Sequence, residues 1–231
     1  MTHVYYLDVS LPGYSDAEKK AVLNAVVPRL AKVRQEKVLR TRFLEDQLCS
    51  AGAGLLLDIG LQQLYGLHSR ELTIAYEGNQ KPYLEEAPQV HFNLSHSGTM
   101  VMAAFSGYPI GCDIERIGKM DDRIVKRFYH PEEQKRLSLL DAETQRQEKI
   151  SLFFRYWTLK ESVLKVTGEG MRLPMNSFYI DLDEPVSAAM ESGTNDYRFL
   201  EHPLIGYCSS VCVDGDPGEV FFSFQNLQDV V

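Results

Sequence analysis

EKISLFFRYWTLKESVLKV, residues Glu148 to Val166, is the stretch from which the rest of the chain is most easily read. At 100° per residue Phe153, Leu164, Trp157, Glu161, Phe154 and Lys165 fall in one contiguous stripe, with Lys160 at its edge. This spacing predicts a long helix, closed by Gly168-Glu169-Gly170. Shorter helical stretches precede it at Asp122–Phe128 and Pro131–Leu140, and strands follow at Phe178–Leu182, Tyr207–Val213 and Val220–Phe224. Further upstream the same succession occurs. A strand at Val4–Val9 leads to a helix at Asp16–Val27, capped by Ser15 and stopped by Pro28. Apolar residues then recur at helical spacing from Leu44 to Leu64, and Gly66 ends the run. Within it Gly52 and Gly54 mark places where another backbone can approach. Strands are expected at Leu72–Tyr76, Val90–Leu94 and Met100–Phe105, with turns at Glu77–Gln80 and Ser97-Gly98. Ser106-Gly107-Tyr108-Pro109 punctuates the chain before a strand at Ile110–Ile114. Helices mixed with antiparallel strands predict an α+β fold of two similar halves, 1–107 and 108–231.

Composition narrows the function classes. The 231 residues are 44% apolar and 24% charged, which excludes a disordered or collagen-like chain. No apolar run approaches the eighteen or so residues of a spanning helix, and the first residues lack the pattern of an export signal, so no membrane role and a cytoplasmic location are expected. Four sparse cysteines without a CxxC pair read as reduced thiols. A net charge of -8 disfavours a nucleic-acid module. Against that acidity, Arg29, Lys32, Arg34, Lys37, Arg40 and Arg42 stand with a single acid, Glu36, and mark a local anion site or a solvated helix face.

On an extended strand Asp113 and Glu115 point to one face and Cys112 and Ile114 to the other. Two adjacent carboxylates repel unless a cation sits between them, and hard oxygen donors suit Mg²⁺. Alone, such a pair also describes a solvated acidic edge. Glu161, between Trp157 and Phe154 on the helical stripe, is either one end of an i,i+4 salt bridge to Lys165 or a third oxygen ligand. In the second case Lys160 and Lys165 serve phosphate oxygens. His96 and Ser95, at the end of a strand, are turn residues or phosphate donors; their adjacency does not make a nucleophile and base. Neither the G-x-x-x-x-G-K-[ST] nor the G-x-G-x-x-G pattern is present, which disfavours an ordinary NTPase or dinucleotide fold.

Four ordered motifs together resemble the 4′-phosphopantetheinyl transferases of the Sfp type: Lys81-Pro82, Phe92-Asn93-Leu94-Ser95-His96-Ser97-Gly98, Gly111-Cys112-Asp113-Ile114-Glu115, and the run from Phe154 to Lys165. The likeness is close over residues 81–172 and looser elsewhere. It implies a pseudo-dimer of two similar α+β halves with the active site in the cleft between them. It also implies a monomer that moves the phosphopantetheine arm of coenzyme A to a serine of an apo acyl-carrier or peptidyl-carrier protein and releases 3′,5′-ADP. By position, the family's metal carboxylates for Mg²⁺ fall on Asp113, Glu115 and Glu161, and its pyrophosphate lysines on Lys160 and Lys165. Glu161, Lys160 and Asp113 then carry the chemistry. His96 and Ser95 match the 3′-phosphate contacts, and Lys81-Pro82 the loop beside the adenine, although Gln80 replaces the usual glycine. Lys32, Lys37 and Arg40 are assigned to the phosphate patch. The alternatives are a Mg²⁺-dependent nucleotide pyrophosphatase and a non-catalytic coenzyme A-binding regulator.

Overall fold

A computed structural model of the chain describes residues 1–77, 81–141, 143–190 and 196–230, so most of the turn expected at Glu77–Gln80 lies outside the described residues. In chain order the elements are β1 (Thr2–Asp8), α1 (Asp16–Val26), α2 (Lys32–Arg40), α3 (Leu44–Tyr65), β2 (Ile74–Glu77), β3 (Lys81–Leu84), β4 (His91–Ser97), β5 (Met100–Ser106), β6 (Ile110–Arg116), α4 (Asp122–Phe128), α5 (Pro131–Ser138), α6 (Arg146–Thr167), β7 (Phe178–Asp181), β8 (Ser187–Met190), β9 (Tyr197–Glu201), β10 (Tyr207–Asp214), β11 (Val220–Asn226) and α7 (Leu227–Val230). The architecture is α+β. The chain forms two units, the first made of Met1–Gly107 with Gly218–Val231 and the second of Tyr108–Pro217.

In the first unit four strands run in the order β11-β1-β5-β4. β1 pairs antiparallel with β5 and parallel with β11, Thr2 facing Val220. This pairing corrects the expected second half: its last residues, from Gly218, belong to the first unit because β11 extends that unit's sheet. Helix α3 packs across β1, β4 and β5, and α1 and α2 pack on α3. Ser15 caps α1 through a reciprocal box with Glu18, as its position predicts. The helix α3 ends on Gly66 in the left-handed region, φ 66°. At Gly52 and Gly54 the close neighbours are side chains rather than another backbone. A methyl built on Gly52 would stand 2.8 Å from Val9 Cγ1, and one on Gly54 3.1 Å from the Leu30 methyls.

The second unit has a three-stranded antiparallel sheet, β6-β10-β9, and a hairpin of β7 and β8. Helix α6 lies on β6 and β10. Gly111 makes that contact possible, because a methyl there would overlap the Ser162 carbonyl oxygen and the Val166 backbone nitrogen. Strand and helix backbones therefore touch where β6 begins. Residues two and four further along β6 face the same side as Gly111, so Asp113 and Glu115 are carried towards α6. Gly168, φ 69°, closes α6 where the sequence places the stop.

Several elements depart from the reading of the sequence, among them β3, a strand at Lys81–Leu84 where none was expected. Strand β4 runs on through Ser95, His96 and Ser97, because each pairs with β5 in register; the reversal falls at Gly98-Thr99. Helix α2 occupies most of the basic run. Strands β8 and β9 are short segments for which no strand was expected.

Candidate active site

Asp113 is buried and Glu115 half-buried on β6. Along α6 the turns facing the core bury Phe153, Phe154 and Leu164, while Trp157, Glu161 and Lys165, at i, i+4 and i+8, stay half-buried in a line. Trp157 packs edge-on against Phe128, 5.8 Å between ring centres. Lys165 Nζ donates to Asp113 Oδ1 at 2.6 Å and to the Cys112 carbonyl at 3.0 Å. The ion pair seen for Lys165 is thus to a strand carboxylate, a partner no helical spacing could name.

The electrostatics tie these groups together. Burial raises the Glu161 pKa above the usual carboxyl value; the charge of Asp113 raises it further, Lys165 opposes, and Glu115 adds to the rise. Burial alone would weaken the Lys165 ammonium, yet Asp113 chiefly outweighs it and the pKa is raised. The structure therefore brings Asp113, Glu115, Glu161 and Lys165 into one neighbourhood on the α6 side of β6. Among the described residues no three His, Cys, Asp or Glu side chains are already arranged as a metal cluster.

Lys160 is placed elsewhere. Its side chain is fully buried, with Nζ bonded to Glu133 Oε1 at 2.8 Å and the Phe178 carbonyl at 2.7 Å, and 4.2 Å from the centre of the Phe178 ring. Burial pulls its pKa down to about 8, against the opposing charge of Glu133. The expectation of a phosphate-facing lysine at 160 is corrected on this ground: the ammonium is spent inside the second unit.

In the first unit Lys81 and Pro82 open β3, half-buried. Burial lowers the His91 pKa, and the charge of Lys81 lowers it further, so the Lys81 ammonium stands near that ring. Ser95 is buried and His96 exposed, and as neighbours on β4 they point to opposite faces. Both therefore stand within the strand and not in the turn expected there.

Helix α2 sorts the basic run. Lys32, Glu36 and Arg40 form its outer stripe, and Arg40 pairs with Glu36 at 3.2 Å. Arg40 and Lys32 therefore fit the solvated face better than the phosphate patch. Arg34, singled out only as one of the run, turns inward and is buried. Its Nη2 donates to the Ser50 carbonyl at 2.9 Å, while its Nε and the Ser50 hydroxyl are buried without a hydrogen-bond partner among the described residues. Burial lowers the Arg34 pKa, with Tyr76 opposing. Lys37, one turn further, is lowered by burial and then by Arg34. Two cations thus stand close enough to disfavour each other, and one of them, Arg34, is enclosed without an ion-paired acid among the described residues. The signal in the sequence was weak, since nothing local separates Arg34 from five similar neighbours.

Known proteins are similar to the chain over most of its length. Residues 109–210 match the family model described as the 4′-phosphopantetheinyl transferase superfamily, and residues 17–107 the model of the 4′-phosphopantetheinyl transferase N-terminal region. The chain is 30% identical to the 4′-phosphopantetheinyl transferase gsp of Aneurinibacillus migulanus, over 96% of this chain and 88% of that one. It is 30% identical to the 4′-phosphopantetheinyl transferase Sfp of Bacillus subtilis strain 168, over 80% and 78%. It is 36% identical to the 4′-phosphopantetheinyl transferase HetI of a Nostoc species, over 53% and 52%. With both units covered and the carboxylates and Lys165 gathered on β6 and α6, this chain belongs to the 4′-phosphopantetheinyl transferase family.

Proposed function

We propose that the chain transfers the 4′-phosphopantetheine arm of coenzyme A to a serine hydroxyl of an apo acyl- or peptidyl-carrier protein, releasing 3′,5′-ADP. The single observation that carries this reading beyond family membership is the group formed by Asp113, Glu115, Glu161 and Lys165. In it Lys165 pairs with Asp113 at 2.6 Å, and burial first, then the charges of Asp113 and Glu115, raise the Glu161 pKa.

The donor set fits Mg²⁺. All three side chains offer hard oxygens, and this ion needs only one or two carboxylates, its remaining positions being taken by waters and substrate phosphates. Bound there, Mg²⁺ supplies neutralisation of charge on the coenzyme A pyrophosphate. The residues of the chain do the rest. Glu161 takes the proton of the carrier serine as that oxygen bonds to the phosphorus next to the pantetheine. The phosphoanhydride bond breaks, and 3′,5′-ADP leaves with the electron pair. Lys165 keeps its positive charge and offsets the charge on the departing phosphate. Asp113 and Glu115, with Glu161, would hold the metal. In the first unit Arg34 and Lys37 offer charge to a phosphate of coenzyme A, and Lys81 and His96 serve the adenosine end. The reading is of a cytoplasmic monomer.

The test is chemical. Incubated with coenzyme A, Mg²⁺ and an apo carrier, the protein should add one phosphopantetheine arm to the carrier by mass spectrometry, with an equal amount of 3′,5′-ADP. The variant Asp113→Ala should keep its circular dichroism and lose transfer. Phosphopantetheine set free without a carrier would instead identify a pyrophosphatase, and tight coenzyme A binding without turnover a regulator.

A further inference from the structure

Lys160 immediately precedes Glu161, yet the two side chains look into different surroundings. Glu161 feels Asp113 and Glu115 of β6, whereas Lys160 is held by α5 and β7. Every partner on that side is engaged. Glu133 Oε1 accepts both Lys160 Nζ and the Ile180 backbone N–H, each at 2.8 Å, and Glu133 Oε2 accepts the His130 N–H at 2.9 Å in the box that caps α5. Lys160 Nζ also donates to the Phe178 carbonyl, with the Phe178 ring against it. One enclosed ion pair thus ties the start of α5, both ends of a β7 segment and the middle of α6. Its geometry fixes the rotation of α6 at residue 160, and residue 161 inherits that rotation. A satisfied buried network of this kind is costly to break on one side, because the other charge is left without a counterpart.

We infer that the Lys160–Glu133 pair is a positioning device that aims Glu161 at β6, and that Lys160 itself does not touch the substrate. The inference rests on the reading of Glu161 as a member of the transfer machinery.

Steady-state kinetics with coenzyme A, Mg²⁺ and an apo carrier separate the cases, using wild type, Lys160→Met, Glu133→Gln and the double variant. An inactive wild type would sink the transferase reading itself, independently of this one. Given an active wild type, each single variant should lose about tenfold to a hundredfold in kcat, the scale expected of a misaimed group, with KM for coenzyme A unchanged. The double variant, which leaves no lone buried charge but restores no tie, should regain Tm while keeping the loss in kcat. A raised KM in Lys160→Met that the double variant does not repair would overturn the inference, since it would put Lys160 on the substrate. Wild-type kcat and KM in all variants, with only a lower Tm, would overturn it too, because the pair would then be merely structural. Should the single variants fail to fold, the double variant decides: unchanged KM with kcat lowered about tenfold to a hundredfold supports the inference, and a raised KM or a wild-type kcat defeats it.

Discussion

A guanidinium closed off from solvent, with one carbonyl receiving its Nη2, costs the folded chain free energy, and in the proposed reading a phosphate of coenzyme A offsets that cost at Arg34. Arg34→Met should therefore melt no lower than wild type in thermal denaturation without ligand. The same variant should raise KM for coenzyme A by about tenfold or more, as expected when a charged hydrogen bond to phosphate is lost. An unchanged KM would remove Arg34 from the phosphate site. At this scale the sequence was legible where periodicity is strict. The two-residue repeat put Asp113 and Glu115 on one face, and the helical repeat set Glu161 and Lys165 one turn apart. It was silent where partners are distant. Nothing within a few residues of Lys160 announces Glu133, twenty-seven positions earlier, as its counter-ion. A lysine beside a half-polar stripe therefore reads as exposed until the tertiary structure encloses it.

The contact of α6 with β6 depends on the missing side chain of Gly111. An added methyl meets backbone atoms of Ser162 and Val166, which cannot turn aside as a side chain would. Gly111→Ala should cost about 3 kcal/mol, in the upper range for overpacking. For a chain of this size that is a fall of roughly 6–12 °C in Tm, read by differential scanning calorimetry. Ala at Gly107, where nothing lies within 4 Å of a built methyl, should change Tm by no more than about 2 °C. Element boundaries followed the local chemistry wherever a cap or a stop was present, as at Ser15, Gly66 and Gly168. They drifted at β4, whose Ser95-His96-Ser97 end has turn-like composition but is held in the sheet by pairing with β5. Helix α2 carries few apolar residues, so its inward face of Arg34 and Val38 could not be picked out by periodicity.

On the scale of the whole molecule, each unit sets a twenty-two-residue helix against an antiparallel pair of strands, α3 on β5 and α6 on β6. The order of helix, glycine stop and strands made the succession of elements in each half readable. The return of β11 to the first unit was not, because a parallel pairing between the two ends of the chain leaves no mark at short range. The net charge of -8 leaves local cations such as Arg34, Lys37 and Lys165 to supply the attraction for a polyanionic substrate. The account turns on a divalent ion held by side chains from β6 and α6, and Mn²⁺ in place of Mg²⁺ makes that visible. In a crystal grown with coenzyme A and Mn²⁺, the anomalous difference map should show a peak bonded to carboxylate oxygens of Asp113 and Glu161 and to the pyrophosphate. A peak on other residues, or a bound pyrophosphate with no peak beside these carboxylates, would contradict it.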